Sequence, residues 1–195
     1  MDIFADDYYP NIATRDIDLL YRNIRLPNYK IPLISALKKL GFIYDENPMT
    51  KVARFYKGST LELEFLVRVV GQDQMYYRIE SLGITAEGLR EVSLLEKHSV
   101  EISRDGFKVL IPEPAAYVIH KILINDKRKK GGKSEKDMRS IKDLMIQIEN
   151  HPKQKALFIE IAKSLSKREL TVFRRVCQNN SINITFLNDD PSHIS

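Results

Sequence analysis

The sequence has little cysteine, no long apolar run and no basic-then-apolar leader, and each absence excludes a class of protein. Cys177 is the single cysteine, so an internal disulfide is excluded and a cytoplasmic location is the default expectation. No apolar run reaches the roughly 18 residues that a membrane helix needs, so we expect no membrane partner. The acidic residues 1–7 predict no signal peptide. No cysteine–histidine cluster indicates zinc.

What the sequence does contain is enough apolar residues for a core and an excess of positive charge. Hydrophobic residues make up 43% of the 195-residue chain, charged residues 29%, and the net charge is +5. Much of the excess lies in the basic run of residues 127–133. One interpretation of this run is a solvated loop between helices. The other is a surface that attracts nucleotides or nucleic acid.

The order of elements predicts an α+β fold. We expect a mixed β-sheet core flanked by helices over residues 1–112 and a C-terminal helical subdomain over 113–195. The predicted strands span residues 12–21, 51–56, 60–70, 75–79, 98–103 and 107–111. The predicted helices span 32–40 and about 85–91, with further apolar stripes at helical spacing within 115–123, 138–148, 157–165 and 170–176. The tail from Asn179 is predicted to be loosely structured.

Two acidic pairs stand inside apolar runs. Asp16 and Asp18 lie in the first predicted strand, and Glu62 and Glu64 in a later one. Successive side chains of a strand point to opposite faces, so each pair shares a face, with roughly 7 Å between its members. Ile17 and Leu19, on the opposite face, would then point into the core. The first strand is also apolar enough that we expect it to be central in the sheet.

Like charges on one strand face repel each other unless a cation lies between them. A carboxylate cluster without histidine suits Mg²⁺ or Mn²⁺, and two such ions promote phosphoryl or nucleotidyl transfer. Two alternatives stay open. The carboxylates are a solvated face, or they form a structural ion-pair network with Arg15, Arg54 and Arg68.

One family shares this arrangement. Residues 14–20, Thr-Arg-Asp-Ile-Asp-Leu-Leu, followed by an acidic strand, resemble the nucleotidyltransferase superfamily that contains DNA polymerase beta. Within it, the chain is similar to bacterial minimal and AbiEii-like proteins. The likeness covers about residues 12–150 and includes Gly106–Pro114, Tyr117, the pair His120-Lys121 and the pair Lys136-Asp137.

The resemblance implies a reaction and a site. The chain would transfer NMP from an NTP to a hydroxyl of a protein, an RNA or a small molecule, with Mg²⁺ or Mn²⁺ as cofactor. Asp16 and Asp18 would be the first two metal ligands and catalytic residues, and Glu64 the third. Glu62 is the alternative third ligand, because alternation puts both glutamates on one face. The implied nucleotide-binding residues are Lys121, Lys136, Thr14 and Arg15. Asp137 would orient a basic side chain, and His120 would pack at a helix–sheet junction.

One departure from the family keeps other functions open. These enzymes carry a Gly-Gly or Gly-Ser turn shortly before the Asp-x-Asp strand, and residues 1–15 contain neither glycine nor serine. Either the chain begins inside the family's domain or the phosphate-binding turn has been lost.

The alternative function is therefore a degenerate binding module for nucleotide, nucleic acid or protein. Its basic face would include Lys163, Lys167, Arg168, Arg174 and Arg175. A toxin–antitoxin or regulatory partner that docks through its helical stripes is a third hypothesis, and the oligomeric state stays open.

Overall fold

The computed structural model describes residues 15–22, 29–69, 75–89, 92–104, 106–125 and 132–187. The contacts divide the chain between Val92 and Ser93 into two compact units, which we call the sheet unit and the helical unit. Strands precede most of the helices, so the α+β class predicted from the sequence is confirmed. The predicted domain boundary at residue 112 stays a prediction.

The sheet unit is built around β4. Its elements are β1 (Asp16–Tyr21), α1 (Leu33–Lys39), β2 (Ile43–Glu46), β3 (Ala53–Lys57), β4 (Leu61–Arg68), β5 (Tyr76–Ile79) and β6 (Ile84–Leu89). The main path of the sheet runs β2-β3-β4-β6-β5, and β1 also pairs with β4, off this path. The β1–β4 and β4–β6 pairs are parallel, and β2–β3, β3–β4 and β5–β6 are antiparallel. The predicted hairpin between β3 and β4 is present and turns at Gly58, where φ is +61°.

The two faces of this sheet differ in chemistry. Phe55, Val67, Ile79 and Ile84 are fully buried on one face, where the apolar side chains of α1 pack against them. Side chains at the alternate positions lie on the opposite face, which we call the polar face. Its residues include Asp16, Asp18, Arg54, Tyr56, Glu62, Glu64, Tyr76 and Glu87.

The predicted central and buried position of β1 is wrong. Within the described residues β1 pairs with β4 alone, so it is an edge strand. Ile17 is 44% exposed and Leu19 is 38% exposed, although both were expected in the core. Alternation decides which side chains share a face, but burial needs a second layer over that face.

The helix predicted over residues 85–91 is also wrong, because its described part belongs to strand β6. Ile84, Ala86 and Gly88 are buried and alternate with half-buried residues. A Cβ at Gly88 would lie 2.8 Å from the side chains of both Tyr77 and Val69. The small residues that suggested a helix start therefore allow close packing against neighbouring strands.

The helical unit joins a hairpin to a helix bundle. Its elements are α2 (Ser93–Lys97), β7 (Ser99–Arg104), β8 (Phe107–Pro112), α3 (Pro114–Asn125), α4 (Gly132–Asn150), α5 (Pro152–Ser164), α6 (Lys167–Asn179) and a 3-10 turn (Thr185–Leu187). The predicted β7–β8 hairpin and the four apolar stripes are confirmed, and α3 packs against α4, α5 and α6. Among the described residues no helix combines the length and the apolar character needed to cross a membrane.

The segment after α6 is more ordered than predicted. Ile182 and Phe186 are buried in the helical core, and the rings of Phe186 and Phe158 lie 5.6 Å apart. The expectation of a loose tail is therefore wrong up to residue 187, because two apolar side chains anchor the segment. Residues 188–195 lie outside the described part of the chain.

Candidate active site

The two acidic pairs face each other across neighbouring strands. In the parallel β1–β4 pair, Asp16 is opposite Glu62 and Asp18 is opposite Glu64. Adjacent strands lie about 4.8 Å apart, and partners in register point to the same face. The polar face therefore carries all four carboxylates side by side. Both aspartates are exposed, whereas both glutamates are half-buried because β4 has neighbours on both edges.

Arg54 lies on the other side of the two glutamates. Its position on β3 is directly opposite Glu64. The Arg54 Nε atom is 2.8 Å from Glu64 Oε1, and its Nη1 atom is 3.9 Å from Glu62 Oε1. The ion-pair network that the sequence left open is thus present for these two glutamates. Since 44% of the Arg54 side chain is exposed, water screens the pair and its net contribution to stability is small.

The charge around Glu64 is nevertheless negative on balance. Burial raises the pKa of Glu64 above its ordinary value, the Arg54 guanidinium lowers it, and the charges of Glu62 and Asp18 raise it further. The pKa of Arg54 is raised, first by a hydrogen bond with Tyr56 and then by the glutamates. One guanidinium therefore does not offset the burial and crowding of Glu64.

The carboxylates do not converge as they stand. Within the described ranges no three Asp, Glu, His or Cys side chains are close enough together to hold one metal ion. The donor atoms are all carboxylate oxygens, which suits Mg²⁺ or Mn²⁺. A guanidinium already occupies the space beside the glutamates. Coordination of an ion by both strands would require these side chains to move together.

A small cavity lies on the other side of Arg54. Its volume is about 170 Å³, and its lining residues are Asn47, Thr50, Val52, Arg54, Tyr76 and Glu87. Sites for drug-sized ligands usually occupy about 300 to 1,000 Å³, so this cavity is too small to enclose a nucleotide. Tyr76 and Glu87 were missed at the sequence level, because their place on the polar face depends on β6 being a strand.

The two residues before the Asp-x-Asp motif, Thr14 and Arg15, were both predicted to bind the nucleotide. Thr14 lies outside the described residues. The Arg15 Nη1 atom donates to the carbonyl oxygen of Ser59, 3.1 Å away in the β3–β4 turn. The Arg15 carbonyl accepts a hydrogen bond from the Glu62 backbone N–H at 2.7 Å. Arg15 therefore anchors the start of β1 beside β4, and its predicted contact with a nucleotide stays a prediction.

The remaining predicted residues lie in the helical unit. Lys121 Nζ is 3.2 Å from Asp137 Oδ1 and 5.3 Å from the centre of the Tyr117 ring. Asp137, which is only 8% exposed, thus holds a basic side chain, as the resemblance implied. His120 is buried on α3, and Lys136 is exposed on α4. The side chains of the basic run, residues 127–133, lie outside the described part. Nucleotide contacts of Lys121 and Lys136 stay predictions.

Comparison with known proteins gives the family. A model of a nucleotidyltransferase family matches residues 7–163, which include both acidic pairs and Arg54. The chain belongs to this nucleotidyltransferase family. No curated protein and no solved structure matches it. For this nucleotidyltransferase, family membership therefore supports nucleotidyl transfer and a nucleotide substrate.

Proposed function

We propose that this nucleotidyltransferase uses Mg²⁺ or Mn²⁺ to transfer NMP from an NTP to a hydroxyl of an acceptor. The observation that carries the proposal is the register of β1 and β4, which puts Asp16 beside Glu62 and Asp18 beside Glu64 on the polar face. In a chain of this family, oxygen donors crowded on one sheet face suit divalent cations better than any other ligand class.

In this proposal Asp16, Asp18 and Glu64 hold the metal, and Glu62 is the alternative to Glu64. Bound ions would stabilise the charge that develops on the transferred phosphate and on the leaving pyrophosphate. Glu64 would also accept the proton of the attacking hydroxyl, since a raised pKa makes a carboxylate a better base. The new bond joins the acceptor oxygen to the α-phosphorus, and the bond from that phosphorus to pyrophosphate breaks.

Transfer of a labelled nucleotide tests this function. Asp16→Asn and Asp18→Asn each keep the side-chain shape but remove one negative charge. Metal-ion stabilisation of the transition state is worth several kcal/mol, so each variant should incorporate label at least about 100-fold more slowly than the wild type. Glu80→Gln is the matched control, because this carboxylate is 83% exposed in a turn and should leave the rate unchanged. Equal incorporation by the wild type and both aspartate variants would reject the proposal.

A catalytically degenerate binding module is the second candidate. It is favoured by the guanidinium of Arg54, which already neutralises part of the charge of Glu64 and Glu62. On this account the wild type binds an NTP analogue but incorporates no label with any acceptor. Protein and RNA remain the acceptor candidates of the first proposal. A toxin–antitoxin role of the AbiEii-like kind stays a prediction. The oligomeric state also stays open, and light scattering would measure it.

A further inference from the structure

Helix α6 exposes one continuous basic surface. At 3.6 residues per turn, six of its exposed side chains fall within an arc of about 120°. We call this surface the basic arc; it consists of Lys167, Arg168, Thr171, Arg174, Arg175 and Gln178. The opposite side of the helix is buried through Phe173, Val176 and Cys177. The arc contains four cations, no carboxylate and no apolar side chain.

Three of the four cations of the basic arc form no ion pair with the described residues. Glu169 is the one acid of α6, and it lies outside the arc. Its Oε2 atom accepts from the Ser166 N–H at 2.9 Å and from the Ser166 hydroxyl at 2.6 Å, which completes a capping box. Among the described residues, Lys167, Arg168 and Arg174 have no carboxylate within ion-pair distance.

Helix stability does not explain these charges either. Lys167 and Arg168 are the first two residues of α6. The helix dipole is positive at this end, so cations are unfavourable there and acids are favourable. No acid lies three or four residues beyond either cation on the helix to offset this cost. Two cations at a position where they weaken the helix therefore point to an external anion.

A nucleic acid fits this surface better than a membrane does. Helices that bind a bilayer surface insert apolar side chains, and the basic arc has none. Its cations extend over about 12 Å of helix, from Lys167 to Arg175, which is long enough to contact several phosphates of one strand. Gln178 adds a neutral side chain of the kind that hydrogen-bonds to phosphate oxygens, whereas the Thr171 hydroxyl donates to the Lys167 carbonyl oxygen at 2.8 Å. The arc also lies beyond residue 163, where the family match ends.

We propose that the basic arc of α6 binds the phosphate backbone of a nucleic acid without sequence preference. This binding does not depend on transfer activity, so the failure of either proposal leaves the other testable. Fluorescence anisotropy of labelled single-stranded RNA with the full chain would measure it. Each neutralised phosphate of a single strand contributes about 0.7 to the slope of log Kd against log salt, so four contacts predict a slope of roughly 3.

The decisive variant is Lys167→Glu with Arg168→Glu. Loss of two phosphate contacts and gain of two repulsive charges should weaken RNA binding at least about tenfold and roughly halve the salt slope. Acids in the first turn favour the helix, so the melting temperature should be unchanged or higher, which separates lost binding from unfolding. Arg139→Glu with Lys142→Glu, both exposed on α4, changes the net charge equally and should alter Kd less than about twofold.

Several results would overturn the proposal. One is the absence of RNA binding even at low salt, and another is a Kd that does not respond to salt. An equal loss in the α4 control would assign the effect to net charge rather than to the arc. Binding of anionic lipid vesicles or of polyglutamate as tight as that of RNA would show a different class of partner.

Discussion

At the scale of single residues, Arg54 already supplies the positive charge that a divalent ion would bring to the polar face. Its guanidinium lies 2.8 Å from Glu64 and 3.9 Å from Glu62, so under the proposed function Arg54 would compete with a metal ion for the same oxygens. The carboxylates themselves were predictable from the alternating sequence. Their guanidinium partner was one of three arginines that the sequence offered, and only the β3–β4 register selects Arg54.

This competition predicts a gain of metal affinity. Arg54→Gln removes the competing charge, and at the effective dielectric constant of a protein surface the Mn²⁺ affinity should rise roughly tenfold. Electron paramagnetic resonance of Mn²⁺ would measure the affinity without any turnover. The control is Arg78→Gln, an equal charge change at an exposed arginine whose partner is Glu80. Unchanged or weaker Mn²⁺ binding in Arg54→Gln would show that the guanidinium and the metal do not share a site.

The pKa of Glu64 gives a second prediction. Burial, Glu62 and Asp18 raise it above the ordinary 4.5 despite Arg54, so the folded chain holds this proton more tightly than the unfolded chain does. The contribution of Glu64 to the free energy of unfolding should therefore fall as the pH rises from the ordinary pKa through the raised one. Urea unfolding of the wild type and of Glu64→Gln at several pH values would isolate the contribution of Glu64 as the difference between their free energies of unfolding. A contribution that grows with pH would mean that pairing with Arg54 outweighs burial.

At the scale of elements, regular periodicity decided what the sequence could predict. The helical stripes of α3 to α6 and the glycine turns of two hairpins were recognised because local chemistry specifies them. Strand β6 was missed, since Ala86 and Gly88 are uncommon in strands, Thr85 also suits the start of a helix, and the strand conformation comes from neighbours distant in sequence. The exposure of β1 was missed for a related reason, because no local pattern reveals whether a second layer covers a strand.

Gly88 tests the assignment of β6 by the sign of a stability change. As a strand residue, Gly88 has no room for a methyl group beside Tyr77 and Val69, so Gly88→Ala should destabilise the fold by about 1 to 3 kcal/mol. In the interior of a helix the same change would stabilise by about 0.5 to 1 kcal/mol. Urea unfolding measures the difference. Glu87→Ala, on the polar face of the same strand, should stay within about 0.5 kcal/mol.

At the scale of the whole molecule, the residues that the structure describes form two hydrophobic cores, and the four carboxylates of the polar face belong to the sheet unit. The α+β class followed from the sequence, and so did the prediction that the two acids of each pair lie on the same face of the sheet. The register of β1 against β4 did not, because registers between strands depend on packing that no short segment encodes. That register turns two acidic pairs, separated by more than forty residues, into one cluster.

The central claim is that this cluster binds divalent ions for nucleotidyl transfer. Crystals soaked with Mn²⁺ and a non-hydrolysable NTP test it most directly, because manganese is located by anomalous scattering. The account predicts manganese between β1 and β4, in contact with Asp16, Asp18 and a glutamate of β4, and Arg54 withdrawn from Glu64. Manganese found elsewhere, or none at this face while Arg54 still holds Glu64, would contradict it.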